Sequence, residues 1–119
     1  MSALEDLSMS NNHFEGSIPL ELIILERLVY LDLSQNNLVG PVPPFRNPFV
    51  SFIHLSNNYL SGFSKRMFNG SSSLVMLDLS YNEITYSIED LIQGLSYTGL
   101  NILLLKGNHL GYTKAVLSI

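Results

Sequence analysis

The sequence predicts an α/β repeat fold: a right-handed solenoid with a parallel β-sheet on its concave face and short helical or extended return segments outside. Two observations carry this prediction. A pattern of leucines, one asparagine and one glycine recurs along the chain, and its copies keep their apolar positions in phase. A single copy has nothing against which to bury its leucines, so the copies must stack.

The stretch from Leu28 to Gly40, LVYLDLSQNNLVG, shows the pattern in full, as L-x-x-L-x-L-x-x-N-x-L-x-G. Leu31 and Leu33 alternate with Tyr30, Asp32 and Ser34, which is the two-residue period of a strand with one buried face. The chain then turns at an asparagine, a residue type that hydrogen-bonds backbone groups and tolerates tight turns. Each copy is therefore predicted to form a strand followed by a turn.

About five copies occupy the chain, and neither end carries a recognisable cap. The asparagines are spaced by 24, 22, 24 and 26 residues, inside the range of roughly 20–29 residues for leucine-rich repeats. The solenoid segment is predicted to span residues 1–112, with a non-repeat tail at 113–119. The repeats lie near residues 4–27, 28–49, 50–73, 74–99 and 100–112. We expect the chain to be a segment of a longer solenoid or a truncated gene product.

Stacking turns each position of the pattern into a column. Two columns are predicted to be buried: Leu7, Leu31, Ile53, Leu77 and Leu103, and Met9, Leu33, Leu55, Leu79 and Leu105. A third is a structural ladder of Asn12, Asn36, Asn58, Asn82 and Asn108. The amides of this ladder are predicted to satisfy backbone groups of neighbouring coils, rather than to bind a metal or to act in catalysis.

The outward columns are predicted to form a ligand-facing concave surface. Its members are Asp6, Tyr30, Asp32, Phe52, His54, Met76, Asp78, Tyr81 and Ile102. Aromatic and apolar side chains on a rigid face are typical of protein or peptide contacts. The alternative is that aromatic residues occupy these positions for cross-strand packing alone.

A row of three titratable residues crosses the predicted sheet. His54 is expected to lie between Asp32 and Asp78, and two flanking carboxylates would favour a protonated imidazole. The hypothesis is a pH-sensitive contact. The alternative is that the acidic residues recur only because the L-D-L-S pattern recurs.

The return segments differ from one another. Pro19 suits the first turn of a short helix or 3₁₀ segment, with Gly16 or Ser17 as its cap, while Ile23 and Ile24 are predicted to face outward. The second return, 41–48, holds four prolines and is predicted to be extended. Residues 87–94 read as a short helix, and Asn69 begins the single N-x-S/T acceptor for a sugar.

Composition excludes several function classes. A net charge of −4 with six Lys+Arg disfavours a nucleic-acid partner, and the absence of cysteine excludes disulfides and thiolate metal sites. No apolar run approaches the roughly 18 residues of a membrane span, and the polar N-terminus is not a secretory signal. We expect no cofactor and no enzyme activity, because no nucleophile–base–acid set is present.

The stretches LDLSQNNLVGPVP and SMSNNHFEGSIPLEL resemble the plant-type leucine-rich repeat, L-x-x-L-x-L-S-x-N-x-L-x-G-x-I-P. The serine of that pattern stands at Ser10, Ser34, Ser56 and Ser80. The pattern departs at Phe63, which follows Gly62 in place of I-P, and at Lys106, which replaces the serine. Over about residues 1–112 the chain resembles an internal stretch of a plant receptor-like protein ectodomain, and receptor-like kinases use near-identical repeats.

The resemblance implies recognition of a peptide, protein or cell-wall-derived ligand at the extracellular side of the plasma membrane. It implies a role in plant defence or developmental signalling through co-receptor kinases that bind parts outside this chain. Two alternatives stay open: a secreted inhibitor of a cell-wall-degrading enzyme, and a non-functional truncation. The resemblance to a secreted ectodomain also favours glycosylation of Asn69.

Overall fold

The structure, a computed structural model, describes residues 4–63, 73–85 and 100–109. These residues form short strands: β1 (Asp6–Ser8), β2 (Glu15–Gly16), β3 (Tyr30–Asp32), β4 (Asn37–Val42), β5 (Phe52–His54), β6 (Tyr59–Phe63), β7 (Met76–Asp78) and β8 (Ile102–Leu104). Five of them form one parallel sheet in the order β1-β3-β5-β7-β8, which we call the concave sheet. The predicted solenoid with a parallel sheet is therefore confirmed.

The concave sheet is in register from its first strand to its last. The middle residues of its strands pair in one line: Leu7, Leu31, Ile53, Leu77 and Leu103. The last four of these are buried, and Leu7 packs against them in the first coil. Burying each such side chain stabilises the fold by roughly 1.5–3 kcal/mol, so a slip of one residue would expose the whole line.

A second parallel sheet, of order β2-β4-β6, follows the turn in the first three coils. Its register shifts between Gly40 and Pro41, where the chain begins to bend into its return. Strand β6 pairs with β4 although Phe63, rather than I-P, follows Gly62. The pairing uses backbone groups, so it does not depend on the side chains of that motif.

The first return segment corrects two predictions. The predicted 3₁₀ segment spans Leu20–Ile24, but its N-cap is Pro19 rather than Gly16 or Ser17, and no side-chain hydrogen bond caps it. Ile24 is exposed as predicted, whereas Ile23 is buried. The next return covers Ile23, because the backbone N–H of Arg46 donates to the Ile23 carbonyl at 3.2 Å.

The second return has no helix between Pro43 and Asn47, as its prolines predict. Asn47 is fully buried, and its Nδ2 donates to the carbonyls of Leu22 and Leu25 at 2.9 and 2.8 Å. One side chain thus satisfies backbone groups of the preceding return. The predicted helix at 87–94, the acceptor Asn69 and the tail 113–119 lie outside the described residues.

The asparagine ladder joins every coil to the one before it. In each of four steps an asparagine Oδ1 accepts an N–H from the preceding coil; the donors are Phe14, Leu38, Leu60 and Ile84. Asn58 is typical: its Nδ2 donates to the carbonyl of Leu33 in the preceding coil and of Leu55 in its own, at 3.0 and 3.2 Å. Asn12, in the first coil, is exposed and bonds only within its own turn.

We expect Asn58→Ala to lower the free energy of unfolding by about 1–3 kcal/mol, because it leaves the buried N–H of Leu38 without its acceptor. Asn12→Ala is the matched control. Its amide donates only to exposed carbonyls of its own turn, so the expected change is within about 0.5 kcal/mol. Urea unfolding followed by circular dichroism measures both variants, and equal losses would contradict the inter-coil role.

Candidate ligand-recognition surface

One outward column runs unbroken across the concave sheet. The strands bring Asp6, Tyr30, Phe52, Met76 and Ile102 into direct register. Phe52 and Ile102 expose 39% and 47% of their surface, and Tyr30 and Met76 are half-buried. We call Tyr30, Phe52, Met76 and Ile102 the concave stripe. It is apolar and accessible, and strand pairing on both sides holds its inner members in place.

The second outward column contains the predicted row of Asp32, His54 and Asp78, which the strands bring into register. No ion pair within 4 Å joins His54 to either carboxylate among the described residues, and the pH-sensitive contact stays a hypothesis. Each carboxylate instead accepts hydrogen bonds from a serine of its own coil. Asp32 Oδ1 accepts the N–H and Oγ–H of Ser34 at 3.0 and 2.6 Å, and Asp78 does the same with Ser80.

These Asp–Ser pairs close the turn at the end of β3 and β7. The D-x-S spacing is the signal for such a local turn, and it gives Asp32 and Asp78 a structural role. Their charges still face the concave side, where both residues are half-buried.

His54 contacts the concave stripe rather than the acids. Its ring lies 5.2 Å from the ring of Tyr30, centroid to centroid, at an angle of 46°. Burial, and then the charges of Asp32 and Asp6, raise the pKa of Tyr30 above its usual value of 10.0. The phenol of Tyr30 is therefore a neutral hydrogen-bonding group throughout the physiological range.

The residue before each ladder asparagine adopts a left-handed backbone conformation. The φ values are 56° at Asn11, 56° at Gln35, 58° at Asn57, 57° at Tyr81 and 78° at Gly107. The N–H of each of the first four donates to a carbonyl of the next coil, and Tyr81 does so to Lys106 at 2.7 Å. Only the glycine adopts this conformation without steric cost.

Tyr81, a predicted ligand-facing residue, lies beyond the sheet rather than on it. Its ring rests against Gly107, where an added Cβ would stand 2.5 Å from Cδ1 of the ring. Gly107 therefore provides the space in which the Tyr81 side chain lies. The side chain remains 47% exposed.

A groove of about 400 Å³ lies beyond the carboxyl ends of the concave strands, beside the buried ladder residues Asn36, Asn58 and Asn82. Its exposed lining residues are Asn57, Tyr59, Tyr81, Glu83, Gly107 and His109. We call it the edge groove. The Nε2 of His109 lies 3.0 Å from Oε2 of Glu83, and both side chains are more than half exposed. Within the described ranges, no group of three or more acidic or histidine side chains is arranged to hold a metal ion.

Sequence reasoning missed Tyr59, Glu83 and His109 as surface features, and treated His109 as decoration of the repeat. All three directly follow a ladder asparagine. The signal available in the sequence was this column, since the residue after the asparagine lines the groove in three successive coils. Asn69, the predicted glycosylation site, lies outside the described residues, and its modification stays a prediction.

Comparison with known sequences identifies the repeat throughout the described coils. A profile of the leucine rich repeat family matches residues 50–110, and a second one matches residues 3–24 and 27–47. Receptor-like protein 36 of Arabidopsis thaliana is 41% identical over 63 residues, which cover 50% of this chain and 9% of the relative. Receptor-like protein 32 of the same plant is 31% identical over 115 residues, which cover 91% of this chain and 13% of the relative.

A solved structure shows the same coil geometry. The Arabidopsis receptor kinase HAESA, in complex with the peptide hormone IDA and the co-receptor SERK1, superposes with a TM-score of 0.78 at 36% identity. The match covers 93% of this chain and 18% of that structure's chain. The chain thus spans about a tenth of the length of the curated relatives it matches. The helical turns of the described residues include none with the length and apolarity needed to cross a membrane.

We expect Gly107→Ala to displace the Tyr81 ring and to lower stability more than Gly16→Ala does. Both glycines have a φ near +80°, but an added Cβ at Gly16 meets nothing within 4 Å. The two variants share a backbone cost of about 1–2 kcal/mol, so their difference isolates the Tyr81 contact. Urea unfolding and the NMR shifts of the Tyr81 ring measure it, and identical losses with an unmoved ring would contradict the assignment.

The raised pKa of Tyr30 predicts a loss of stability in alkali. Because the folded-state pKa lies above the unfolded-state pKa, the stabilisation is complete at pH values below the unfolded-state pKa. It is lost as pH rises through the folded-state pKa. Tyr30→Phe cannot ionise, so we expect it to lose less stability than the parent chain between about pH 9 and pH 11. Unfolding measured across that range tests this, and Tyr59→Phe serves as the control on an exposed phenol.

Proposed function

The chain belongs to the leucine-rich repeat family, similar to plant receptor-like proteins, and we propose that it is part of an extracellular surface that recognises a peptide ligand. The carrying observation is the concave stripe, an accessible apolar column in register over five strands. Binding rather than catalysis is the activity that such a surface supports.

The physical argument rests on rigidity and area. Neighbouring strands of a parallel sheet lie about 4.8 Å apart, so five strands present a face about 19 Å wide. Strand pairing fixes the backbone of every stripe residue before a ligand arrives, which reduces the entropy lost on binding. Exposed Phe52 and Ile102 supply apolar contacts, and Tyr30 supplies a neutral phenol.

A peptide is the favoured ligand because the stripe is narrow and linear. HAESA, a structural neighbour, carries a peptide hormone and a co-receptor kinase in its solved complex. By analogy we propose that this chain acts within a longer receptor at the plasma membrane, in defence or developmental signalling. A co-receptor kinase would bind to parts beyond the five repeats, and Asn69 would carry a sugar.

The proposal is tested by selecting random displayed peptides on the 119-residue chain and measuring the dissociation constant of an enriched sequence. We expect Phe52→Ser and Ile102→Ser each to raise the dissociation constant of that peptide by about tenfold or more, as for residues at the centre of a contact. The substitutions lie on exposed positions, so the fold should be retained, which circular dichroism checks.

Ile24→Ser is the matched control for this experiment. Ile24 is 65% exposed but lies on the 3₁₀ helix of the outer return, so its loss should change the affinity by less than about twofold. Selected peptides that bind equally well to the parent chain, Phe52→Ser and Ile102→Ser would contradict recognition by the concave stripe.

A further inference from the structure

The edge groove has a base of hydrogen-bonded asparagine amides and a rim of exposed side chains. Asn36, Asn58 and Asn82 line it but are buried, and their amides are already bonded to the backbone of two coils. These amides have little hydrogen-bonding capacity left for a ligand. Recognition in the groove therefore falls to the exposed side chains, above all Tyr59, Tyr81 and Glu83.

Two aromatic rings border the groove on neighbouring coils. Tyr59 and Tyr81 are 55% and 47% exposed. Among the ring contacts of the described residues none joins these two, so their faces are not stacked on each other. The ring of Tyr81 rests on Gly107, and Tyr59 stands on strand β6. The Tyr81 ring is thus positioned by Gly107, and the backbone of Tyr59 is fixed by strand pairing.

One carboxylate completes the groove. Glu83 is fixed at its backbone, where its N–H donates to the Leu60 carbonyl at 2.9 Å. Its Oε2 is beside His109, which is itself anchored by its N–H to the Ile84 carbonyl at 2.8 Å. No hydrogen bond to a described residue involves Oε1 of Glu83. A half-exposed carboxylate oxygen thus remains for a ligand.

Among the described residues that line the groove, one is a carboxylate, paired with His109, and none is a lysine or arginine. The concave sheet carries the carboxylates of Asp6, Asp32 and Asp78, and the groove adds Glu83. Lys106, at the turn before Gly107, is the opposing charge on this edge. The described arginines belong to return segments instead, as Arg27 and Arg46. Aromatic faces attract cations, and a carboxylate strengthens that attraction.

We propose that the edge groove is a subsite for a basic side chain, preferably arginine, of the peptide whose apolar residues contact the concave stripe. The inference rests on the proposed function and names the chemistry of its ligand. A guanidinium is planar, stacks on aromatic faces and offers several N–H donors to one carboxylate. Lysine would bind more weakly, because its compact ammonium is more strongly hydrated.

The direct test is an NMR titration of the 119-residue chain with Nα-acetyl-arginine methylamide, alongside the citrulline derivative, which has nearly the same shape without the charge. We expect millimolar binding of the arginine compound, with shifts at Tyr59, Tyr81 and Glu83. The citrulline compound should bind about five- to tenfold more weakly. No binding, equal binding of the two compounds, or shifts confined to residues outside the groove would overturn the inference.

Substitutions on exposed positions assign the effect to individual groups. Glu83→Gln should reduce arginine binding about five- to tenfold, and Tyr59→Leu should reduce it while keeping the apolar bulk on β6. Glu15→Gln removes another exposed carboxylate, on β2 and outside the groove, and should leave binding unchanged. Equal effects of Glu83→Gln and Glu15→Gln would also overturn the inference.

The same samples separate this inference from the proposed function. A peptide selected on the chain is measured against Glu83→Gln and Phe52→Ser together. If arginine does not bind the groove while the peptide still depends on Phe52, only the subsite is wrong. If Phe52→Ser also leaves the affinity for the peptide unchanged, the proposal that the concave stripe recognises the peptide is wrong.

Discussion

The asparagine ladder is the interaction on which the rest of the structure depends. A coil that turns from one sheet to the next leaves backbone N–H and carbonyl groups pointing inward, where water cannot satisfy them. Each ladder amide supplies both a donor and an acceptor, and in four steps it joins a coil to its predecessor. The turn can therefore be buried, and the apolar side chains before and after it can pack without leaving an unsatisfied backbone group.

Burying the turn also determines the shape of the outer surface. The ladder holds neighbouring coils at strand spacing, so every outward position becomes a straight column, and the concave stripe is one of these. The same turn places the preceding residue in a left-handed conformation. Where that residue is Tyr81 and the next coil offers Gly107, the turn projects an aromatic ring over its neighbour. The core and the recognition surface are therefore two consequences of one hydrogen-bonding arrangement.

Much of this could be predicted because the relevant signals are local and repeat. The buried line from Leu31 to Leu103, the ladder positions and the outward columns follow from residue spacing alone. The errors fall where a side chain depends on what lies beside it. Ile23 was predicted to face outward but is covered by the next return. Asp32 and Asp78 flank His54 in register as predicted, but each also bonds to the serine two residues on, a local contact that the column positions do not reveal.

Residue spacing alone determines the period of the coil, its strand and turn, and which residues share a column, because a repeated pattern can bury its leucines only by stacking in phase. It does not determine which exposed side chains meet across columns. Tyr59, Glu83 and His109 each follow a ladder asparagine in successive coils, but Tyr81 precedes one, and residue spacing alone does not place its ring beside them. Only the tertiary structure decided that, because the edge groove depends on the distance between coils and on the left-handed turn that aims each side chain.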